Sequence, residues 1–168
     1  DSTNVAPQAA VAPLVSARVP SQPGWQPHRP PASTAGRALA RTSVTGMARL
    51  LIVHHTPSPT VRQLLEAAVT GARHPELAEV AVHAEPALSA TSSDVLAADS
   101  ILLITPANIG YMSGALKHFF DTIYYPCLDA TRGVPWGLVV HGNDDTAGAV
   151  SSVTKIAGAL QWRQVAAV

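Results

Sequence analysis

Charge is scarce in this 168-residue chain: 13% of its residues are Asp, Glu, Lys or Arg, and the formal charges cancel. Without a basic excess no face can neutralise a run of phosphates, so nucleic acid is not an expected partner. Cysteine is scarcer still. Cys127 stands alone, which rules out an internal disulfide and any zinc cluster built on cysteines, and which permits a reducing compartment. No apolar run reaches the ~18–20 residues that span a bilayer, and the N-terminus lacks the charged start and continuous apolar stretch of a secretory signal. The expectation is a soluble, cytoplasmic protein without membrane contact. Its length suits a single core of the common ~100–150-residue size.

Acidic residues are missing from the first part of the chain, where Asp1 is the only one before Met47, beside four Arg and much Pro, Ala and Ser. No helical or strand period persists there, and the apolar surface is too sparse to offset the entropy of ordering. Residues 1–46 are therefore expected to be disordered. An arginine-bearing, Ser-rich leader is also the composition of an organelle transit peptide, and Met47 as the native start, with an extension before it, is a third reading.

From Met47 onward, apolar runs alternate with helical patterns in the manner of a parallel sheet covered on both faces. Strands are expected at Arg49–His54, Val80–His83, Ser100–Thr105, Trp136–His141 and Arg163–Val168. Helices are expected at Thr60–Arg73, Ser92–Ala98 with Ser92 or Ser93 as N-cap, Met112–Tyr125 stopped by Pro126, and Thr146–Gln161. The chain then stops inside an apolar strand with no helix to follow, which suggests a fragment.

In such a sheet, ligands bind outside the carboxyl ends of the strands, where the strand order switches. After strand one, HHTPSPT sets hydroxyls of Thr56, Ser58 and Thr60 beside a helix N-terminus, the outline of an anion site. The same residues also describe a plain N-cap and turn. After strand three, Asn108 and Gly110 allow unusual dihedrals, and Gly114 lets the next helix pack close to the sheet or to a ligand. Exposed backbone groups there could meet the edge of a flat heterocycle with Tyr111 packed on it. Tyr111 and Met112 equally describe a hydrophobic plug at the helix start.

The stretch Thr105–Asp121, TPANIGYMSGALKHFFD, resembles the strand-three loop and helix of the flavodoxin-like superfamily, most closely its FMN-dependent quinone and flavin reductases. The pattern falls on Thr105, Pro106, Gly110, Gly114, Phe119, Phe120 and Asp121, and the resemblance covers roughly Met47–Val168. It implies a doubly wound α/β domain over 47–168 with a five-stranded parallel sheet of order 2-1-3-4-5, its last helix missing. It also implies an FMN phosphate at Thr56, Ser58 and Thr60, with His55 near the phosphate or ring. The isoalloxazine would lie against Pro106, Ala107, Asn108, Ile109, Gly110, Tyr111 and Met112, closed on its far side by His141, Gly142 and Asn143. Electrons would pass from NAD(P)H to a quinone, a free flavin or a similar small acceptor, with the cofactor carrying the chemistry and no side-chain acid or base named. Family members often form homo-oligomers.

The departures matter. The first loop has no Gly, and Pro57 and Pro59 each remove an N–H from the phosphate's reach. Residues 47–168 carry ten acidic and seven basic side chains, too mild an imbalance for a dedicated low-potential carrier. A non-catalytic flavodoxin-like binding module or electron carrier is the rival reading. A phosphoacceptor receiver domain fails, since His54–His55 and Thr105 stand where it needs acids, and a dinucleotide domain fails because no Gly-x-Gly-x-x-Gly follows strand one. His54, His55 and His141 lie at adjacent strand ends without an evident ligand spacing, so no metal is expected. Cys127 is expected to be an inert, partly buried thiol.

Overall fold

The computed structural model describes residues 47–143 and 145–166; the segment 1–46, Asp144 and the last two residues of the expected fifth strand lie outside the described residues. Six strands form: β1 (Ala48–His54), β2 (Val80–Pro86), β3 (Ser100–Asn108), β4 (Tyr111–Met112), β5 (Pro135–His141) and β6 (Arg163–Gln164). Four α-helices accompany them: α1 (Pro59–Ala72), α2 (Ser92–Ala97), α3 (Gly114–Cys127) and α4 (Ala147–Ala159). Five strands run parallel in the order β2-β1-β3-β5-β6, while β4 folds back antiparallel on β3. Leaving β4 aside, this is the 2-1-3-4-5 order of the resemblance.

The near-continuous apolar runs of β1 and β3 follow from burial on both faces. Leu51, Val53, Ile101, Leu103, Trp136 and Leu138 meet Val95 of α2, Phe119 and Phe120 of α3, and Val153 of α4. On the opposite face Leu50, Ile52, Leu102 and Ile104 meet Val61, Ala68 and Ala72 of α1. Each such fully buried aliphatic contributes about 1.5–3 kcal/mol before the entropy of ordering is subtracted. Trp162 stacks obliquely on Phe120, centroids 6.2 Å apart, and its buried indole N–H donates to Thr131 at 2.8 Å, so the polar end of the ring is satisfied.

Several boundaries differ from expectation for local reasons. β2 runs on to Pro86 because every residue of β1 from Ala48 to His54 finds a partner in it. Thr91, not Ser92 or Ser93, caps α2: its hydroxyl accepts from the Asp94 N–H at 3.4 Å while the Asp94 carboxylate accepts from the Thr91 N–H at 2.8 Å. Pro126 does not stop α3, which continues to Cys127; a proline so near the end forfeits only a terminal bond. Among the described residues the last strand pairs through Arg163 and Gln164, against Pro135 and Trp136. The largest difference follows Thr105, where the chain does not leave the sheet but continues as β3 to Asn108 and returns as β4.

Candidate functional site

Three loops meet at the carboxyl ends of β1, β3 and β5. The β3–β4 hairpin is closed by Ile109 and Gly110, with φ of 53° and 69°. Positive φ at both central residues is what a two-residue turn needs to match strand twist, and Gly supplies it freely. Ile109 does not. A β-branched residue in the left-handed region is strained, and this one leaves its side chain entirely in solvent. Tyr111 is also exposed, whereas Met112 is buried against the core. Met112 thus plugs the hydrophobic core, and Tyr111 is the ring left available.

The two ends of the hairpin are pinned below the surface. The Thr105 hydroxyl donates to Ser113 Oγ at 3.0 Å and accepts from the Ser113 N–H at 3.4 Å; both residues are fully buried. Ser113 Oγ also accepts from the Leu116 N–H at 3.3 Å and so caps α3. A helix start placed at Met112 concealed this cap. Gly114, at the first position of α3, does not serve close packing against the sheet: a Cβ built there meets nothing within 4 Å.

The hairpin tip instead presses on the start of α4. A Cβ on Gly148 would stand 1.9 Å from the Gly110 carbonyl oxygen, and one on Gly110 would stand 3.1 Å from the Asp145 carboxylate. Gly148 and Asp145 were not among the sequence candidates, since a contact across 38 positions of chain leaves no local pattern. His141 pairs with Pro106 across β5 and β3, and Gly142 is held so close to Ala107 that a Cβ would come within 3.1 Å of that side chain. The candidates Pro106–Tyr111 and His141–Gly142 are therefore brought together. Asn143 is exposed beside them. α4 starts at Ala147, and Thr146 at its N-cap position makes no side-chain capping hydrogen bond.

In the first loop, Ser58 caps α1, its Oγ accepting from the Val61 N–H at 3.4 Å, and Pro59 occupies the first helical position. A proline there loses an N–H that has no helical partner anyway. Ser58 keeps its hydroxyl proton to donate, Thr60 is exposed, and the Thr56 hydroxyl lies 3.3 Å from His54 Nδ1. Burial holds the His54 pKa below its ordinary 6.5, opposed by Glu85. The His55 N–H is spent on the Ile104 carbonyl at 2.9 Å, and its ring Nδ1 is buried without a partner. A cavity of about 230 Å³ opens here, lined by His54, His55, Thr56 and Pro57 of the first loop together with Pro86, Ala87, Leu88 and Ala115.

These residues fit a flavin mononucleotide unevenly. The exposed tip at Ile109–Tyr111 beside His141–Gly142 offers backbone groups and an aromatic ring to a flat heterocycle. The first loop offers hydroxyls from Thr56, Ser58 and Thr60 but few free N–H groups. Among the described residues no three His, Cys, Asp or Glu side chains gather as metal ligands, and no helix is long and apolar enough to cross a membrane. Cys127 is fully buried at the end of α3.

Comparison with known proteins bears on the same region. Residues 38–168 match the family described as NADPH-dependent FMN reductase. A flavodoxin of Aquifex aeolicus (strain VF5) is 33% identical over 78 residues, which are 46% of this chain and 40% of that protein. The chain thus spans two-fifths of the length of that relative. Among solved structures, a WrbA-like flavodoxin from Agrobacterium tumefaciens superposes with a TM-score of 0.54 at 21% identity, over 68% of this chain and 74% of that one. A Streptococcus flavodoxin (strain TIGR4) gives 0.57 at 18% identity, over 70% and 79%. A protein from P. pentosaceus described as an NADPH-quinone reductase gives 0.51 at 19% identity, over 71% and 82%. At these identities the structures establish a shared fold.

Proposed function

The chain belongs to the NADPH-dependent FMN reductase family, and from that premise we propose that it binds FMN and passes electrons from NADH or NADPH to a quinone, a free flavin or a similar small acceptor. The observation that carries the reading is the β3–β4 hairpin, with its left-handed turn and exposed Tyr111 at the carboxyl end of the central strand, beside the end of β5. When bound, the flavin supplies the hydride chemistry, and the protein supplies orientation and surroundings.

The chain's own part is positional. Thr56, Ser58 and Thr60 donate hydroxyl protons toward the phosphate at the N-terminus of α1, where the helix dipole favours an anion. Pro106, Ala107, Asn108 and Gly110 present backbone edges to the ring, Tyr111 an aromatic face, and His141, Gly142 and Asn143 the opposite wall. Thr105 and Ser113, hydrogen-bonded to each other beneath the hairpin, hold its two ends together. No side-chain acid or base is assigned.

Titrating purified protein with FMN tests the proposal. Saturable quenching of flavin fluorescence, a rise in melting temperature and NADH or NADPH oxidation with an added quinone are expected. Absence of quenching and of any thermal shift at high micromolar FMN removes the enzyme reading. The second reading, a non-catalytic flavodoxin-like module, is favoured by the two prolines and the engaged Ser58 of the first loop. It predicts FMN binding without nicotinamide oxidation, or no flavin binding at all.

A further inference from the structure

A second cavity of about 230 Å³ opens where α2 lies over the β2 edge of the sheet, lined by Arg49, Leu50 and Leu51 of β1, His83 of β2, and Asp94, Ala97 and Ala98 of α2 and its end. None of these residues belongs to the loops assigned to FMN. His83 stands opposite Leu51 in the β1–β2 register, and Leu51 shares a core with Val95 of α2. Side chains two apart on a strand point to one face, so those of Arg49, Leu51 and His83 are all directed toward α2.

Two opposite charges are anchored here. The Arg49 N–H donates to the Asp99 carboxylate at 2.9 Å, and its carbonyl accepts from the Asp99 N–H at 2.9 Å. Its guanidinium forms no ion pair among the described residues. Across the cavity, Asp94 Oδ2 accepts from the Thr91 N–H at 2.8 Å and from the Thr91 hydroxyl at 2.7 Å. The hydroxyl bond foremost holds the Asp94 pKa below its ordinary 3.8, so the carboxylate is ionised at neutral pH. Oδ1 is left over. His83 Nε2 stands 4.0 Å from it, and lies closer to Glu85 Oε1, at 3.1 Å.

A lining with one fixed cation and one fixed anion that do not pair with each other suits a ligand carrying both signs. An ion of either sign alone would face one charge unmatched. Arginine takes a carboxylate on its planar fork, and a carboxylate oxygen takes an ammonium through a charge-assisted hydrogen bond. The leucines and alanines supply the apolar remainder. The volume of about 230 Å³ exceeds the ~150 Å³ that takes up benzene, so an amino acid of leucine's size fits.

We propose that the cavity between β2 and α2 binds a zwitterionic amino acid with an aliphatic side chain. The carboxylate lies on Arg49, the ammonium on Asp94 Oδ1, and the side chain against Leu51, Ala97 and Ala98. The site stands apart from flavin binding.

L-Leucine, leucine methyl ester and N-acetyl-leucine are the probes, read by ligand-observed NMR on the full chain. Leucine is expected to bind saturably and each derivative about tenfold more weakly, since each lacks one of the two charges. Arg49→Gln should erase the preference for leucine over the ester, and Asp94→Asn the preference over N-acetyl-leucine. The Asn amide oxygen still accepts from the Thr91 N–H, so α2 keeps its cap. Ala97→Leu, on the exposed side of α2, fills the cavity and should abolish binding of all three. Absence of saturable leucine binding, equal affinity for the three probes, or a preference that survives in its variant overturns the proposal; circular dichroism confirms that each variant is folded, and where one is not, the others decide. Saturating FMN should leave leucine binding unchanged, because the two sites share no residue, and competition between them would overturn the assignment to this cavity.

Discussion

Gly148→Ala puts the contact between the hairpin and α4 to the test. Real Cβ atoms essentially never come within 3.0 Å of such a neighbour, and the new methyl would sit 1.9 Å from the Gly110 carbonyl oxygen. The hairpin tip or the start of α4 must move by at least about 1 Å. Forced overpacking of this kind costs about 1–3 kcal/mol, offset by up to about 1 kcal/mol from replacing glycine in a helix. The net expectation is a loss of about 1–2 kcal/mol, a fall in melting temperature of roughly 4–8 °C for a domain of this size. Gly158→Ala in the same helix is the control. Nothing lies within 4 Å of its Cβ, so it should gain about 0.4–1 kcal/mol. Urea unfolding followed by tryptophan fluorescence and circular dichroism measures both. If the two variants shift stability in the same direction, the contact does not exist as described.

Ile109→Asn should raise stability by about 1 kcal/mol, because Asn-Gly suits a turn with two positive φ values and Ile does not; an unchanged melting temperature would count against the strain. Ser113→Ala removes the α3 cap and a partner of the buried Thr105 hydroxyl, at an expected cost of about 1–2 kcal/mol by urea unfolding. Gly110→Val should weaken FMN binding in a fluorescence titration while circular dichroism still reports the sheet; equal affinity would show that the hairpin does not hold the ring. His54 gives a pH dependence. Its folded pKa lies below 6.5, so the unfolded chain takes up a proton first as pH falls. Stability is full above about 6.5 and declines from there down to the folded pKa. His54→Gln should flatten that slope in unfolding curves measured from pH 7.5 to 5, and an unaltered slope would assign it to another group.

The parallel sheet was legible because its evidence is local. Runs such as Leu50–Val53 and Ile101–Ile104 can be buried on both faces only inside an α/β fold. The hairpin was not legible. Ile109 carries no turn signal, and its left-handed backbone is imposed by the pairing of Asn108 with Tyr111 rather than by preference. Ser58 could be foreseen as either anion ligand or cap, and the geometry gives it the cap while leaving its proton free. Gly148 lay beyond any reading of the chain alone, since its need for a missing side chain arises from a neighbour distant in sequence. Among the described residues the fifth strand is shorter than expected, because an apolar run specifies a willingness to pair, whereas the ladder there extends only to Pro135 and Trp136.

Pro57 and Pro59 have a thermodynamic consequence beyond the N–H groups they remove. With two of the five backbone φ angles from Thr56 to Thr60 set by pyrrolidine rings, the first loop surrenders little freedom when an anion arrives. An anion there would meet few donors already held still, in place of many that must first be gathered. Its calorimetric signature would be a small heat of binding with little opposing entropy, and the loop would resist melting after the anion departs.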